Sequence, residues 1–79
     1  MADLRPELER RTRRAGLSPR QSQVALLAIQ GYSIANIAAR LGVKESTVQT
    51  HLKRIYRRLQ VSSRAELAYR LLAWRDSDD

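Results

Sequence analysis

The stretch "TVQTHLKRIYRRLQV", residues 47–61, combines a regular apolar repeat with a strongly basic outer side. When about 100° is added per residue, four apolar side chains fall within roughly 60° of one another. They are Val48, Leu52, Ile55 and Leu59. A stripe of this width is typical of a helix that packs one face against a core. The repeat therefore predicts a well-anchored helix from about Glu45 to Gln60.

The opposite side of this helix carries polar and basic residues. Ser46, Thr50, Lys53 and Arg57 fall opposite the apolar stripe, with Gln49 and Arg54 at the two edges. His51 and Arg58 lie at one border of the core stripe. Short polar side chains near the start of a helix can read base edges in a DNA major groove, and long cations can reach guanine or phosphates. A solvated helix face is the alternative explanation if this helix is considered alone.

The segment before this helix favours DNA binding. Residues 33–41 predict a short helix of about eight residues that Ser33 caps, and a turn of three or four residues containing Gly42 follows. So short a connection favours the steep crossing of a helix-turn-helix, although an ordinary corner of a bundle can have the same pattern. Lys44 has no side-chain acceptor for capping the second helix, but Glu45 suits its positive end.

Two further helices complete the predicted bundle. One follows Ser18, a good N-cap, and has Pro19 in its first position; Val24, Leu27 and Ile29 are its predicted core residues. The other begins near Ser63, which has the capping-box spacing to Glu66. Nothing alternates with the period of a β-strand. The predicted fold is therefore an all-α, four-helix bundle that contains a helix-turn-helix.

The two ends of the chain differ from the bundle in composition. Residues 1–16 are rich in arginine and predict either a loosely held basic arm or an extra helix over Asp3–Arg14. Residues 17–74 form the predicted domain, and residues 75–79 a short acidic tail.

Composition limits the possible functions of these 79 residues. The formal net charge is +7, there is no cysteine, and there is one histidine. Within residues 44–64, six basic residues stand against one acidic residue. No apolar run approaches the roughly 20 residues of a membrane span, and a cytoplasmic protein is expected. Because catalytic and metal-binding motifs are missing, we expect no enzyme activity, metal, cofactor, small-molecule ligand or membrane contact.

The order and spacing of these residues resemble the DNA-binding domain of LuxR-type regulators, the family that includes the small regulator GerE. The resemblance covers about Leu17 to Ala73. It is carried by the following elements: Leu17-Ser18-Pro19-Arg20, Gly31 with Ser33, Ile37-Ala38, Leu41, Thr47-Val48, His51, Ile55, Leu59, Val61 and Ser63-Arg64-Ala65-Glu66. It implies a bacterial transcription regulator that binds double-stranded DNA through the third helix of the bundle.

The resemblance also assigns roles to individual residues. Gln49, Thr50 and Lys53 hold positions that usually face bases. Ser33, Thr47, Arg54 and Arg57 hold positions assigned to phosphate contacts. The fourth helix of the family often forms a two-fold dimer. The expected homodimer would use Leu67, Leu71 and Trp74, while Ala65, Ala68 and Leu72 face the core.

Two other functions remain open. The promoter-reading region of a bacterial sigma factor shares much of the framework, but it lacks a fourth helix like "SSRAELAYRLLAW", residues 62–74. The basic face could instead bind an acidic protein partner such as RNA polymerase. A salt titration separates these classes of partner, because phosphate contacts make DNA affinity fall steeply with salt.

Overall fold

A computed structural model describes residues 3–73, and this part of the chain forms five helices joined by short turns. In chain order they are α1 (Arg5–Arg14), α2 (Pro19–Ile29), α3 (Ile34–Leu41), α4 (Glu45–Leu59) and α5 (Arg64–Ala73). Helices α2 to α5 are the four predicted bundle helices, and no strand occurs among the described residues. The predicted all-α fold is confirmed. The predicted acidic tail lies outside the described residues.

Helix α2 lies at the centre of the domain and contacts each of the other four helices. Its inner face consists of Val24, Ala25 and Ala28, all fully buried. The sequence analysis assigned Leu27 and Ile29 to the core, but both are only half-buried. The two alanines are buried in their place. Small side chains let neighbouring helices approach closely, which explains how one short helix can contact four others.

The start of α2 forms the capping box that its sequence allows. The Ser18 hydroxyl accepts from the Gln21 amide at 3.1 Å, and the Gln21 side-chain oxygen accepts from the Ser18 amide at 2.9 Å. Two backbone donors that the helix leaves unpaired are thereby satisfied. This fixes the point at which the chain enters the bundle.

The turn between α3 and α4 has three residues, Gly42–Lys44. Ser33 caps α3 by accepting from the Asn36 amide at 3.1 Å, as predicted. The helix ends where Gly42 adopts the left-handed conformation (φ +68°), which glycine takes without steric cost. The Val43 amide then donates to the Ala38 carbonyl at 3.0 Å and ties the turn to the last turn of α3.

Helix α4 is anchored by the predicted stripe. Val48 and Ile55 are fully buried, and Leu52 and Leu59 are 6% and 3% exposed. Burying each such side chain contributes about 1.5–3 kcal/mol before entropic costs. The prediction for this face is confirmed. Lys44 makes no side-chain capping bond, as expected.

Helix α1 is the extra helix rather than a loosely held arm. Thr12 is fully buried, and Leu8 packs against the core. The Thr12 hydroxyl donates to the Glu9 carbonyl at 2.7 Å and contacts the buried Ser22 hydroxyl of α2. The Arg11 guanidinium donates to the Leu71 and Leu72 carbonyls at 3.0 and 2.9 Å. Polar contacts therefore hold α1 in place where its apolar face is thin.

The predicted faces of α5 are wrong. Leu67 and Leu71, assigned to a dimer surface, are both fully buried against the rest of the domain. Leu72, assigned to the core, is 54% exposed. Apolar residues cover nearly half the circumference of the helix, and Leu67 and Leu71 belong to the core that α5 shares with α1, α2 and α4. Trp74, the third residue assigned to the dimer, lies outside the described residues.

The capping box predicted at the start of α5 forms with a shift of one residue. The Ser63 hydroxyl accepts from the Glu66 amide at 3.1 Å, as predicted. The Glu66 carboxylate, however, accepts from the amide of Ser62 at 3.0 Å and from its hydroxyl. These bonds lower the pKa of Glu66, because they stabilise the ionised carboxylate.

Candidate nucleic-acid interface

The outward side of α4 is open to solvent along the whole helix. Its core side chains fix the helix by one face, and the exposed positions form a continuous polar surface on the other. The exposed residues of this side are Ser46, Gln49, Thr50, Lys53, Arg54 and Arg57. The angular pattern of the sequence predicts this exposure, and the structure confirms the exposure of each of these residues.

The three residues predicted to face bases lie within one turn of each other. Gln49 and Thr50 are exposed, and Lys53 follows one turn later. The Thr50 hydroxyl donates to the Ser46 carbonyl at 3.0 Å, so its single proton is already used. Thr50 can therefore offer a ligand only a hydroxyl acceptor and its methyl group.

The residues predicted to contact phosphates are more scattered. Arg54 and Arg57 are exposed in the second half of α4, whereas Thr47 is half-buried near its start. Ser33 lies at the start of α3, where its hydroxyl accepts a backbone bond and keeps its proton free to donate. All ion pairs found within residues 3–73 join residues between Asp3 and Arg11, so none of them involves a basic residue of α4.

A groove of about 460 Å³ runs beside the base-facing residues. It is lined by Gln49, Thr50, Lys53 and Tyr56 of α4, by Ile34 of α3 and by Arg64 of α5. The Arg64 guanidinium donates to the Tyr32 carbonyl, so the beginning of α5 is tied to the turn before α3. The Arg40 guanidinium stacks over the Tyr32 ring at 4.1 Å. Sequence reasoning did not assign Ile34, Tyr56 or Arg64 to this surface. Tyr56 is part of α4 itself, whereas only packing brings Ile34 and Arg64 beside the helix.

His51 sits at the border of the core stripe, as its angle on the helix predicts. It is half-buried, and its Nδ1 atom is buried without a hydrogen-bond partner among the described residues. A packing position fits this environment.

Comparison with known proteins gives one family and several relatives. The family described as "Bacterial regulatory proteins, luxR family" matches residues 15–71. A putative HTH-type transcriptional regulator in the exeN 3' region of Aeromonas salmonicida is 47% identical over 51 residues, which are 65% of this chain and 26% of that protein.

Two further relatives show similar agreement. The transcriptional regulatory protein UhpA of Salmonella typhimurium is 40% identical over 55 residues, or 70% of this chain and 28% of UhpA. The nitrate/nitrite response regulator protein NarL of Escherichia coli is 38% identical over 52 residues, or 66% of this chain and 24% of NarL. The chain thus spans about a quarter of the length of these three relatives.

No solved structure matches the chain significantly. Within residues 3–73, every helix is too short or too polar to cross a membrane.

Proposed function

The chain belongs to the luxR family of bacterial regulatory proteins, and we propose that it recognises specific DNA sequences by placing α4 in the major groove. Several relatives are named as HTH-type transcriptional regulators, which supports a DNA-binding regulatory role. The family match favours this function over the promoter-reading region of a sigma factor. The proposed place of action is the bacterial cytoplasm, and no catalytic step is part of the proposal.

The open polar side of α4 carries the proposal. An α-helix with its side chains is about 10–12 Å across, and the major groove of B-DNA is about 12 Å wide. On α4 the core side chains all lie on one face, so the opposite face can enter the groove without disturbing the fold. Its charge is positive, with Glu45 at the helix start as the only acid of α4.

The base contacts follow from the chemistry of three side chains. Gln49 can donate to and accept from an adenine edge, and Lys53 can donate to guanine O6 or N7. Thr50 has no free proton, so we assign it to the methyl group of thymine or to an amino group of adenine or cytosine. Each good contact of this kind discriminates between bases by about 1–3 kcal/mol.

The phosphate contacts lie around this reading face. Arg54 and Arg57 extend from the later part of α4, and Thr47 lies near its start. Ser33 would donate its free hydroxyl proton from the start of α3. Contacts of this type set the position of the protein on the duplex and do not themselves read sequence.

We also propose that two copies bind one two-fold site through α5. One module of this size makes few contacts, and pairing doubles the interface. Since Leu67 and Leu71 are inside the core, the contact would use the outward apolar residues Ala65, Tyr69 and Leu72, with Tyr69 being 76% exposed. A two-fold pair predicts half-sites about 10 base pairs apart, centre to centre.

Selection of bound duplexes from random DNA, followed by titration of the selected site, tests this function. We expect a conserved half-site repeated as a palindrome and a linear fall of log affinity with log salt. The function is wrong if no sequence is enriched. The protein-interaction alternative would be supported if the basic face bound an acidic protein such as RNA polymerase and had no measurable affinity for DNA of any sequence.

The stoichiometry on the selected site tests the dimer. We expect two chains per saturated site in analytical ultracentrifugation. Leu72→Glu places like charges against each other in a two-fold contact, so it should reduce this to one chain with weaker binding. Arg70→Gln, at an exposed position of the same helix, also lowers the net charge by one and is the matched control. One chain per site for the parent protein would rule out the dimer while leaving DNA binding intact.

A further inference from the structure

We propose that a second cleft, between the α1–α2 turn and the later half of α4, binds one backbone phosphate of the DNA, with Arg58 as the principal donor. The cleft has a volume of about 350 Å³ and is lined by Gly16, Gln21, Arg54, Arg57 and Arg58. Neither Arg58 nor the α1–α2 turn belongs to the predicted interface. This inference rests on the proposed function, since it assumes that α4 approaches DNA.

Arg58 is held across the mouth of the α1–α2 turn. Its Nε atom donates to the Ala15 carbonyl at 3.3 Å. A Cβ atom added to Gly16 would lie 2.1 Å from the Arg58 Nη2 atom, so the guanidinium lies directly against the glycine backbone. The bond to Ala15 uses the Nε donor of the Arg58 guanidinium and leaves its Nη donors for another acceptor.

The cleft is positively charged and has no internal counter-ion. Three of its five lining residues are arginines, and none of the five is acidic. None of the three arginines has a carboxylate partner within residues 3–73. Three guanidinium groups at one cleft repel each other, and an anion with several acceptor oxygens removes that repulsion. A phosphodiester provides such oxygens, and guanidinium groups bind them in a forked geometry.

The position of the cleft on α4 identifies the anion as DNA phosphate. Arg54 and Arg58 lie one turn apart on the same edge of the helix. Arg57 belongs both to the cleft and to the exposed face proposed for the major groove. A helix in the major groove has a sugar-phosphate backbone along each edge, so the phosphates of one strand would pass this cleft.

The substitution Gln21→Glu tests the proposed cleft without disturbing the fold. The Gln21 side-chain oxygen accepts from the Ser18 amide in the capping box, and a glutamate can make the same bond. A carboxylate is also favoured near the start of a helix, so Gln21→Glu should fold at least as well as the parent. The new charge would, however, compete with phosphate for the arginines of the cleft.

Gln23→Glu is the matched control. It makes the same chemical change two residues along α2, but Gln23 is exposed and lines a separate cleft with Arg5 and Glu9. Both variants have the same net charge. A difference between them therefore reports the local cleft and not the total charge of the domain.

The experiment measures the affinity of both variants for the selected duplex and for a mixed-sequence duplex between about 0.05 and 0.3 M salt. For Gln21→Glu we expect the slope of log affinity against log salt to fall by about 1 on both duplexes, and the affinity near 0.1 M salt to fall roughly tenfold. Gln23→Glu should change the slope by much less. Equal slopes for the two variants would overturn the proposal.

A methylphosphonate scan gives a second, independent readout. Replacing single backbone phosphates of the selected site by neutral methylphosphonates should reveal a position that weakens binding of the parent protein but no longer weakens binding of Arg58→Gln. If every sensitive position affects parent and variant alike, Arg58 contacts no phosphate. If the parent protein does not bind DNA, the proposed function and this inference both fail. If the parent protein binds DNA specifically but the tests of the cleft are negative, only this inference fails.

Discussion

The guanidinium of Arg11 donates to the main-chain carbonyl of Leu71 at 3.0 Å and thereby joins the first helix to the end of the last. A second bond of 2.9 Å reaches the Leu72 carbonyl, and the Glu7 carboxylate holds the same guanidinium from α1 at 3.2 Å. Carbonyls in the last turn of a helix have no partner within the helix. Arg11 supplies that partner to α5 and adds a positive charge where the helix dipole is negative.

Removing the donors of Arg11 should therefore weaken the whole domain. We expect Arg11→Met, which keeps the apolar stem of the side chain, to lower the free energy of unfolding by about 1–2 kcal/mol. Urea unfolding followed by circular dichroism measures this. Arg10→Met is the control, because Arg10 pairs with the same Glu7 but its side chain is 71% exposed, and the expected change is within about 0.5 kcal/mol. Equal losses would mean that the bonds to α5 do not stabilise the fold.

The buried hydroxyl pair of Thr12 and Ser22 should respond asymmetrically to mutation. Since the Thr12 proton goes to the Glu9 carbonyl, Ser22 must be the donor of the bond between the two hydroxyls. Thr12→Val leaves the Ser22 hydroxyl buried without its acceptor and should cost about 1–3 kcal/mol. Ser22→Ala leaves Thr12 with its bond to Glu9 and should cost about 1 kcal/mol or less.

The double variant supplies the check on this pair. In the Ser22→Ala background, Thr12→Val leaves no buried hydroxyl donor without an acceptor. The two losses of unfolding free energy should therefore not add, and the double variant should be more stable than their sum implies. Additive losses in thermal or urea unfolding would show that the two hydroxyls do not interact.

Gln60 is a position where a substitution should stabilise the domain. It ends α4 in the left-handed conformation (φ +57°) and is the one residue other than glycine with positive φ among those described. A side chain in this conformation costs about 1–2 kcal/mol, whereas glycine adopts it freely. Gln60→Gly should raise the free energy of unfolding by about 1 kcal/mol. Gln30→Gly, at the end of α2 with a right-handed φ of −82°, should give no gain. A lower melting temperature for Gln60→Gly would contradict this reasoning.

The proposed reading face predicts different defects for Lys53 and Arg57. Lys53→Ala should cost about 1–3 kcal/mol on the selected site and relax the preference at particular base pairs. Arg57→Ala should weaken binding to all duplexes evenly and lower the salt slope by about 1. Affinities for the selected site, for single-base variants of it and for random DNA distinguish the two. If Lys53→Ala weakens specific and random DNA equally, Lys53 does not read bases.

Local sequence signals determined the helices and the inward face of α4. Helical geometry repeats every few residues, so Val48, Leu52, Ile55 and Leu59 share a face wherever the helix packs. The same holds for the exposure of Gln49, Thr50 and Lys53 on the opposite side. Capping by Ser18 and Ser33 depends on neighbours within three residues, and the turn at Gly42 depends on one backbone conformation. Each of these features could be read without knowing any tertiary contact.

Tertiary packing decided which side of α5 is buried. Along this helix apolar residues cover an arc of roughly 160°, from Leu67 and Leu71 round to Ala65 and Leu72. A stripe that wide gives no unique inward direction, because only part of it can face a core. The positions of α1, α2 and α4 select Leu67 and Leu71, and the sequence of α5 alone does not identify the buried side.

The docking of α1 and the cleft beside Arg58 also came from packing. Arg11 reaches carbonyls 60 and 61 residues away, and Arg58 lies against a glycine 42 residues earlier in the chain. The chain could show that α1 is basic and that Arg58 borders the core stripe. It could not show what these side chains touch, since contacts between distant segments depend on how all the helices share one core.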